Sequence, residues 1–385
     1  MKHARHRSDA PREDLRREAD LQDLAPKRYV SDLGPTPTRR ASLGQFRTRS
    51  GFAFPDLVVD YLTLGRLNPE KSNAIVVFHA LSGNARVAGT DPATGRPGWW
   101  DYHVGPGKSV DTDRFFVICA NVLGGCDGTT GPSSTDPATG TPYGSRFPEI
   151  GIRDMVAAHR ALLAEIGIAR LHAVIGGSMG GMQAMALAFD HPGLVGKCAV
   201  AASAFAHSPM QIAFNEIARR AILADPAFAG GDYYPGPGPS AGLAVARMVG
   251  HVTYLSPESM EAKFGRRLHG SGRFEVENYL DHQGASFVRR FDANAFLALT
   301  RAIDRFDLFE DLPADRLLPG NPTEFLVLSF ASDWLYPPAQ SAGIARAFRS
   351  HGLRVSETTL PTAYGHDSFL IKNPPLTEIL RGFLG

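Results

Sequence analysis

Short apolar runs rich in β-branched residues recur along this chain. The first is Ala74-Ile75-Val76-Val77-Phe78, bounded by Asn73 and Gly83. Phe115 to Cys119, Leu171 to Ile175, Cys198 to Ala202 and Phe325 to Phe330 follow, and Arg354 to Leu360 is a less apolar last member. A half-exposed strand alternates apolar and polar residues, whereas a run apolar at every position has no wet face. These runs therefore predict strands buried on both faces, as in a parallel sheet. Helical spacing fills several of the gaps. Ile152 to Ile166 places Met155, Val156, Leu162, Leu163 and Ile166 at helical intervals and stops at Gly167, a suitable C-cap. Pro338 to Phe348 reads as a helix before Gly352. Strands alternating with helices imply right-handed βαβ units and an α/β fold.

The alternation stops between about Ser203 and Pro322. Helical patterns cover Met210 to Leu223, Gly242 to Val249, Pro257 to Phe264 and Ala293 to Phe306, with a Gly/Pro-rich loop at Gly230 to Pro239. A helical block inserted between two strands of an α/β sheet forms a lid over the strand ends, where such sheets carry their sites. The expected organisation is a core of residues 41–202 and 323–385 and a lid of residues 203–322. Residues 1–40 mix charges densely (Arg16, Arg17 and Glu18 beside Asp20) and end in Gly34-Pro35-Thr36-Pro37, so they read as a disordered tail.

Composition narrows the classes. The chain has 385 residues, 43% hydrophobic and 21% charged, which excludes a disordered protein and allows a large core. Forty Lys+Arg balance 39 Asp+Glu, so no global charge draws the chain to nucleic acid or to an anionic membrane. No apolar run approaches the roughly 20 residues that span a bilayer. The N-terminal stretch has no apolar core of a secretory signal, and Asp9, Glu13, Asp14 and Glu18 argue against a transit peptide. Three cysteines do not make a disulfide framework, and the expected location is the cytoplasm.

The chemistry centres on Gly176-Gly177-Ser178-Met179-Gly180-Gly181, directly after one predicted strand and before the helical run Met182 to Ala188. Strand, sharp turn and helix are the context of a G-x-S-x-G nucleophile elbow. Small residues let Ser178 occupy a strained turn, and the helix N-terminus supplies amides for an oxyanion. A serine nucleophile needs a base, and the base an orienting acid. Asp333 and His366 each follow a later strand, in the order Ser, Asp, His found in α/β-hydrolases. His79 lies too early to be the base. The oxyanion donors are expected to be the backbone N–H groups of Met179 and of Leu81, in the loop after Phe78.

With these motifs on the page the chain resembles the homoserine O-acyltransferases of the α/β-hydrolase superfamily, from about residue 45 onward. The resemblance rests on Asn121 to Cys126 with Gly128 to Pro132, Gly176 to Gln183, Phe214-Asn215-Glu216, Phe274 to Glu277, Arg290 to Asn294 and Gly365 to Leu370. It implies transfer of an acyl group from acyl-CoA to the hydroxyl of L-homoserine in methionine biosynthesis, through an acyl-Ser178 intermediate. It also implies a homodimer with a helical lid. Arg219 matches the family's carboxylate-binding arginine and Asp367 its ammonium-binding aspartate. No metal or resident cofactor is expected, acetyl-CoA being a co-substrate. Cys126 reads as a packing residue.

Two departures bear on the pocket. Many members carry Thr-Gly-Asp-Ser-His after His-Ala-Leu, where this chain has Ser82-Gly83-Asn84-Ala85-Arg86. Members that use succinyl-CoA often place arginine two residues after the triad aspartate, and this chain has Leu335. An apolar residue offers nothing to a succinyl carboxylate, and leaving that charge unpaired is costly. The expected reaction is therefore acetylation of homoserine. Acylation of L-serine, succinylation of homoserine, and ester hydrolysis by the same triad stay open as alternatives.

Overall fold

The computed structural model describes residues 31–270, 272–310 and 320–385. Among them, eight strands pair into one sheet. They are β1 (Arg39–Ser42), β2 (Val58–Leu64), β3 (Ala74–Phe78), β4 (Phe116–Ala120), β5 (Leu171–Gly177), β6 (Val195–Ala201), β7 (Glu324–Phe330) and β8 (Arg354–Leu360). Their order across the sheet is β1-β2-β4-β3-β5-β6-β7-β8. From β4 to β8 every neighbour is parallel. Only β2 runs antiparallel, to both β1 and β4.

The apolar runs have a direct cause. Ala74, Val76 and Phe78 of β3 enter the core on one face of the sheet, and Ile75 and Val77 enter the core on the other. The same split divides Val174 from Ala173 and Ile175 in β5, and Phe325 and Val327 from Leu326 and Leu328 in β7. A strand with a core on each side favours apolar residues, and polar exceptions inside β5 and β7 are bonded: His172 to the Leu384 carbonyl and Ser329 to the Thr359 hydroxyl.

The sheet is flanked by α1 (Ile152–Ile166) and α2 (Met179–Asp190). Between β6 and β7 lie α3 (Pro209–Ala224), α4 (Ser240–Tyr254), α5 (Pro257–Lys263), α6 (Glu275–Val288) and α7 (Ala293–Asp304). Then come α8 (Pro338–Ser350) and α9 (Pro374–Leu384). α1, α2 and α8 pack on one face, and Leu376, Leu380 and Leu384 of α9 pack on the other. α2 is buried along almost its whole length and so is apolar all round. The helices between β6 and β7 share a small core of Ala218, Ile222, Leu243, Ala246, Phe287 and Leu297. α3 starts in a capping box: Ser208 N–H donates to Gln211 Oε1 at 2.7 Å, and Pro209 follows the cap.

This insertion is fastened to the strand ends. Trp334 Nε1 donates to the Leu255 carbonyl at 2.9 Å, and Ser256 Oγ donates to the Ala363 carbonyl. Gln211 Nε2 donates to the Leu335 carbonyl at 2.9 Å. The helices are thus tied to the two loops that carry Asp333 and His366. No helix among the described residues is long and apolar enough to cross a membrane.

The expected tail is shorter than its sequence reading. Ser31 and Thr36 are buried, Pro35 bridges to Thr90, and Thr36 Oγ1 donates to the Ala88 carbonyl at 3.0 Å. Residues 39–42 form β1. Hydroxyl and backbone contacts hold this stretch, with Leu33 and Ala41 packed against the cores, so hydrophobicity gave little sign of it. Residues 1–30 lie outside the described residues.

Candidate active site

β5 ends at Gly177 and α2 begins at Met179, leaving Ser178 between them at φ 55° and ψ −126°. Such a backbone costs a non-glycine residue about 1–3 kcal/mol, which the surrounding packing offsets. The neighbours explain how the turn is held. A Cβ on Gly176 would overlap the Gly180 carbonyl, and one on Gly180 would overlap the Phe78 carbonyl. The glycines are therefore spaces through which strand, turn and helix approach one another. Ser178 sits at the N-terminus of α2, where unpaired amides carry partial positive charge.

In the sheet, Gly176 of β5 faces Phe78 of β3. Three residues beyond each lie Met179 and Leu81, on the same end of the sheet. Among the described residues neither amide N–H has a hydrogen-bond acceptor. His79 pins the Leu81 loop: its Nδ1 lies 2.8 Å from the Ala80 carbonyl, and its Nε2 accepts from Val122 N–H at 3.2 Å. Burial lowers its pKa to about 4, so the ring is neutral and serves as a brace.

Phe330 of β7 faces Leu360 of β8. Asp333 lies three residues past the first, and His366 six past the second. Asp333 Oδ2 is 2.8 Å from His366 Nδ1, with both side chains buried. Asp333 Oδ1 accepts from the amides of Leu335 at 3.0 Å and Tyr336 at 2.8 Å, which fixes the carboxylate plane. The imidazole packs between Tyr336 and Phe369, with ring centroids 4.8 and 5.5 Å away.

Ser178 opens onto a cavity of about 60 Å³ whose wall includes Leu81, Leu335, Tyr336, Arg247 and Tyr254. Arg219 is not on that wall. It lies 2.6 Å from Asp304 and 3.1 Å from Glu216, so its charge is spent inside the helical insertion. The assignment of Arg219 as the carboxylate grip is therefore corrected. The cation on the cavity wall is Arg247, from α4. Its guanidinium donates to Ser82 Oγ at 3.2 Å and lies over the rings of Phe287 and Tyr254, 4.8 and 5.6 Å from their centroids. One signal could have found it: Arg247 is the only charged residue in the apolar stretch Leu243 to Val249.

Asp367 follows His366 and interacts with His366 and Arg247. Burial raises its carboxyl pKa above the usual range, and those two neighbours only partly counter the effect. A cation and an anion, Arg247 and Asp367, thus both act on Tyr254. The Cys126 thiol, within reach of the Arg290 carbonyl, is pushed up to about 12 by burial, which suits packing and not nucleophilic attack.

The strand order, the strained serine after β5 and the buried Asp–His pair past β7 and β8 define an α/β-hydrolase. A family model described as alpha/beta hydrolase fold matches residues 73–372. The chain is 49% identical to a homoserine O-acetyltransferase of Methanohalophilus mahii over 340 residues, 88% of this chain and 70% of that one. It is 49% identical to that of Rhodospirillum rubrum over 349 residues, 88% and 89% of the two chains. Within the α/β-hydrolases, this chain belongs to the homoserine O-acetyltransferase family. Among solved structures it resembles homoserine O-acetyltransferase from Bacillus anthracis, with TM-score 0.85, 25% identity and coverage of 91% and 98%. It also resembles esterase E22, with TM-score 0.84, 30% identity and coverage of 91% and 100%.

Proposed function

We propose that this protein moves an acetyl group from acetyl-CoA to the hydroxyl of L-homoserine through an acyl-Ser178 intermediate. His366, oriented by Asp333, takes the Ser178 proton as the serine attacks the thioester. The amides of Leu81 and Met179 hold the tetrahedral oxyanion. The intermediate collapses, the thiolate leaves with the proton from His366, and acetyl-serine remains. Homoserine then binds with its carboxylate on Arg247 and its ammonium on Asp367. His366 takes the hydroxyl proton as the alcohol oxygen attacks the acetyl carbonyl, and returns it to Ser178 Oγ as the bond to the serine breaks. One covalent enzyme form serving two half-reactions gives ping-pong kinetics.

The observation that carries this reading is Arg247 on the wall of the serine cavity, with the carboxylate of Asp367 next to the triad histidine. A zwitterionic acceptor uses both charges, and water uses neither. Leu335 on the same wall favours acetyl over succinyl, because Arg247 is then the only arginine or lysine on the wall among the described residues and the amino acid takes it. A second cavity of about 520 Å³ meets the first at Leu81 and Ser82, giving the body of CoA a route to the serine. The proposal needs no metal and no prosthetic group. It assigns residues 41–202 and 323–385 to the hydrolase core and 203–322 to a lid, in a cytoplasmic homodimer. Met210, Ile217, Val245 and Val252, exposed on α3 and α4, support pairing through the lid.

A thiol-release assay crossing acetyl-CoA and succinyl-CoA with L-homoserine, L-serine and no acceptor tests the reading. CoA release that depends on acetyl-CoA and L-homoserine together is expected. Equal release without acceptor would make the protein a hydrolase.

A further inference from the structure

A second buried Asp–His pair lies beside the nucleophile. The Tyr336 hydroxyl is 2.6 Å from His207 Nε2, and His207 Nδ1 is 2.8 Å from Asp304 Oδ1. Asp304 also accepts from Asn215 Nδ2 at 2.7 Å and from Arg219 at 2.6 Å. The side chains of His207, Asp304 and Arg219 are each less than a tenth exposed, and Tyr336 is as deeply buried. Tyr336 is held at three points: its backbone N–H on Asp333, its ring face on His366 and its hydroxyl on His207. Tyr336 and Ser178 both line the serine cavity.

The far end of this chain of contacts fixes its protons. A carboxylate paired with Arg219 only accepts, so His207 donates to it from Nδ1 and offers a lone pair at Nε2. Tyr336 then gives its one proton to His207. Its oxygen is left toward the cavity as an acceptor, beside the Ser178 O–H whose proton His366 takes during acylation. Acylation removes that O–H. A buried oxygen without a donor is costly, so the acyl-enzyme favours an incoming molecule that brings one. The acceptor's hydroxyl has a single proton, which His366 must take. Its ammonium group has three, and Asp367 needs only one.

We propose that Tyr336 is a specificity-determining residue that accepts a hydrogen bond from the acceptor's ammonium group in the acyl-enzyme, with His207 and Asp304 as its positioning residues. This rests on the acyl-serine reading above. It makes Tyr336 discriminate between acceptors in the second half-reaction, where the acceptor binds.

Tyr336→Phe keeps the ring on His366 and removes only the hydroxyl. Its acylation burst with p-nitrophenyl acetate is measured alongside to count active sites, and the effect is read as a ratio of acceptors. Its kcat/KM for L-homoserine should fall at least tenfold, while transfer to 4-hydroxybutyrate, which has the hydroxyl but no ammonium, should change less than threefold. His207→Phe, which leaves the Tyr336 hydroxyl without its partner, should move the same ratio of acceptors in the same direction. An equal loss with both acceptors or no change with L-homoserine would overturn the inference. If the unchanged protein shows no burst and no acceptor-dependent release, the acyl-serine reading itself fails.

Discussion

Arg219 lies 2.6 Å from Asp304, and this ion pair between α3 and α7 keeps its guanidinium off the wall of the serine cavity. The two arginines of α3 and α4 should therefore fail in different ways. Arg219→Met leaves a buried carboxylate short of its cation and should lower stability by about 3 kcal/mol. Arg247→Leu should leave the denaturation midpoint within a few degrees and raise KM for L-homoserine at least thirtyfold. Urea melts and steady-state kinetics of the two variants separate these effects. A reversed pattern would return the carboxylate grip to Arg219.

Asp333 accepts two backbone amides on one oxygen and meets His366 on the other. Asp333→Asn preserves the shape but turns the imidazole toward the wrong tautomer, so turnover should fall on the order of 10⁴-fold with little loss of fold. Ser178→Ala should abolish the acylation burst. A burst surviving in Ser178→Ala would place the nucleophile elsewhere.

Asp367 carries a functional charge in a place that disfavours it. Its folded pKa is raised, so the folded state binds the proton more tightly than the unfolded chain does. Its contribution to stability therefore falls as pH rises from the ordinary aspartate range through the raised value. Asp367→Asn should melt higher than the unchanged protein at pH 7.5 and lose at least tenfold in kcat/KM for L-homoserine. A lower melting temperature at that pH would contradict the sign.

Three buried histidines set the acid limit. Burial lowers His79 and His103 to about 4 and His251 to about 3. The unfolded chain takes up protons near 6.5 that the folded chain refuses. Stability from these groups is complete above that pH and is lost as pH falls toward 4. Denaturant midpoints measured from pH 7.5 to 4.5 should drop steadily below about 6.5. A flat profile would mean that these rings are already charged or exposed.

Legibility in the sequence followed the physics of each element. β3, β5 and β7 were plain because β3 is apolar throughout and the other two are apolar at most positions, with His172 in β5 and Glu324 and Ser329 in β7. β2 was missed because Asp60 interrupts Val58 to Leu64, although that residue is buried in place. α6 was missed because only Gly284 and Phe287 of its fourteen residues are fully buried, which leaves a weak stripe. Ser178, Asp333 and His366 could be placed by counting from strand ends. The acceptor cation could not, because Arg219 and Arg247 both stand on helices of the insertion. Which of them faces the cavity depends on Asp304, eighty-five residues from Arg219. His207 and Tyr336 had no motif to announce them.

The register of the sheet has a consequence for how this site can vary. Leu81 and Met179 each stand three residues beyond facing positions of β3 and β5, and Asp333 stands three beyond a position of β7 that faces β8. The strands supply a common starting line, and the loops measure distance from it in whole residues. Walls of the cavity can be exchanged one side chain at a time without disturbing that measure. A single residue added between Phe330 and Asp333 would leave the sheet and its cores intact, yet move the carboxylate by a full backbone step. Across descendants of such a chain, length in these loops is guarded more strictly than composition.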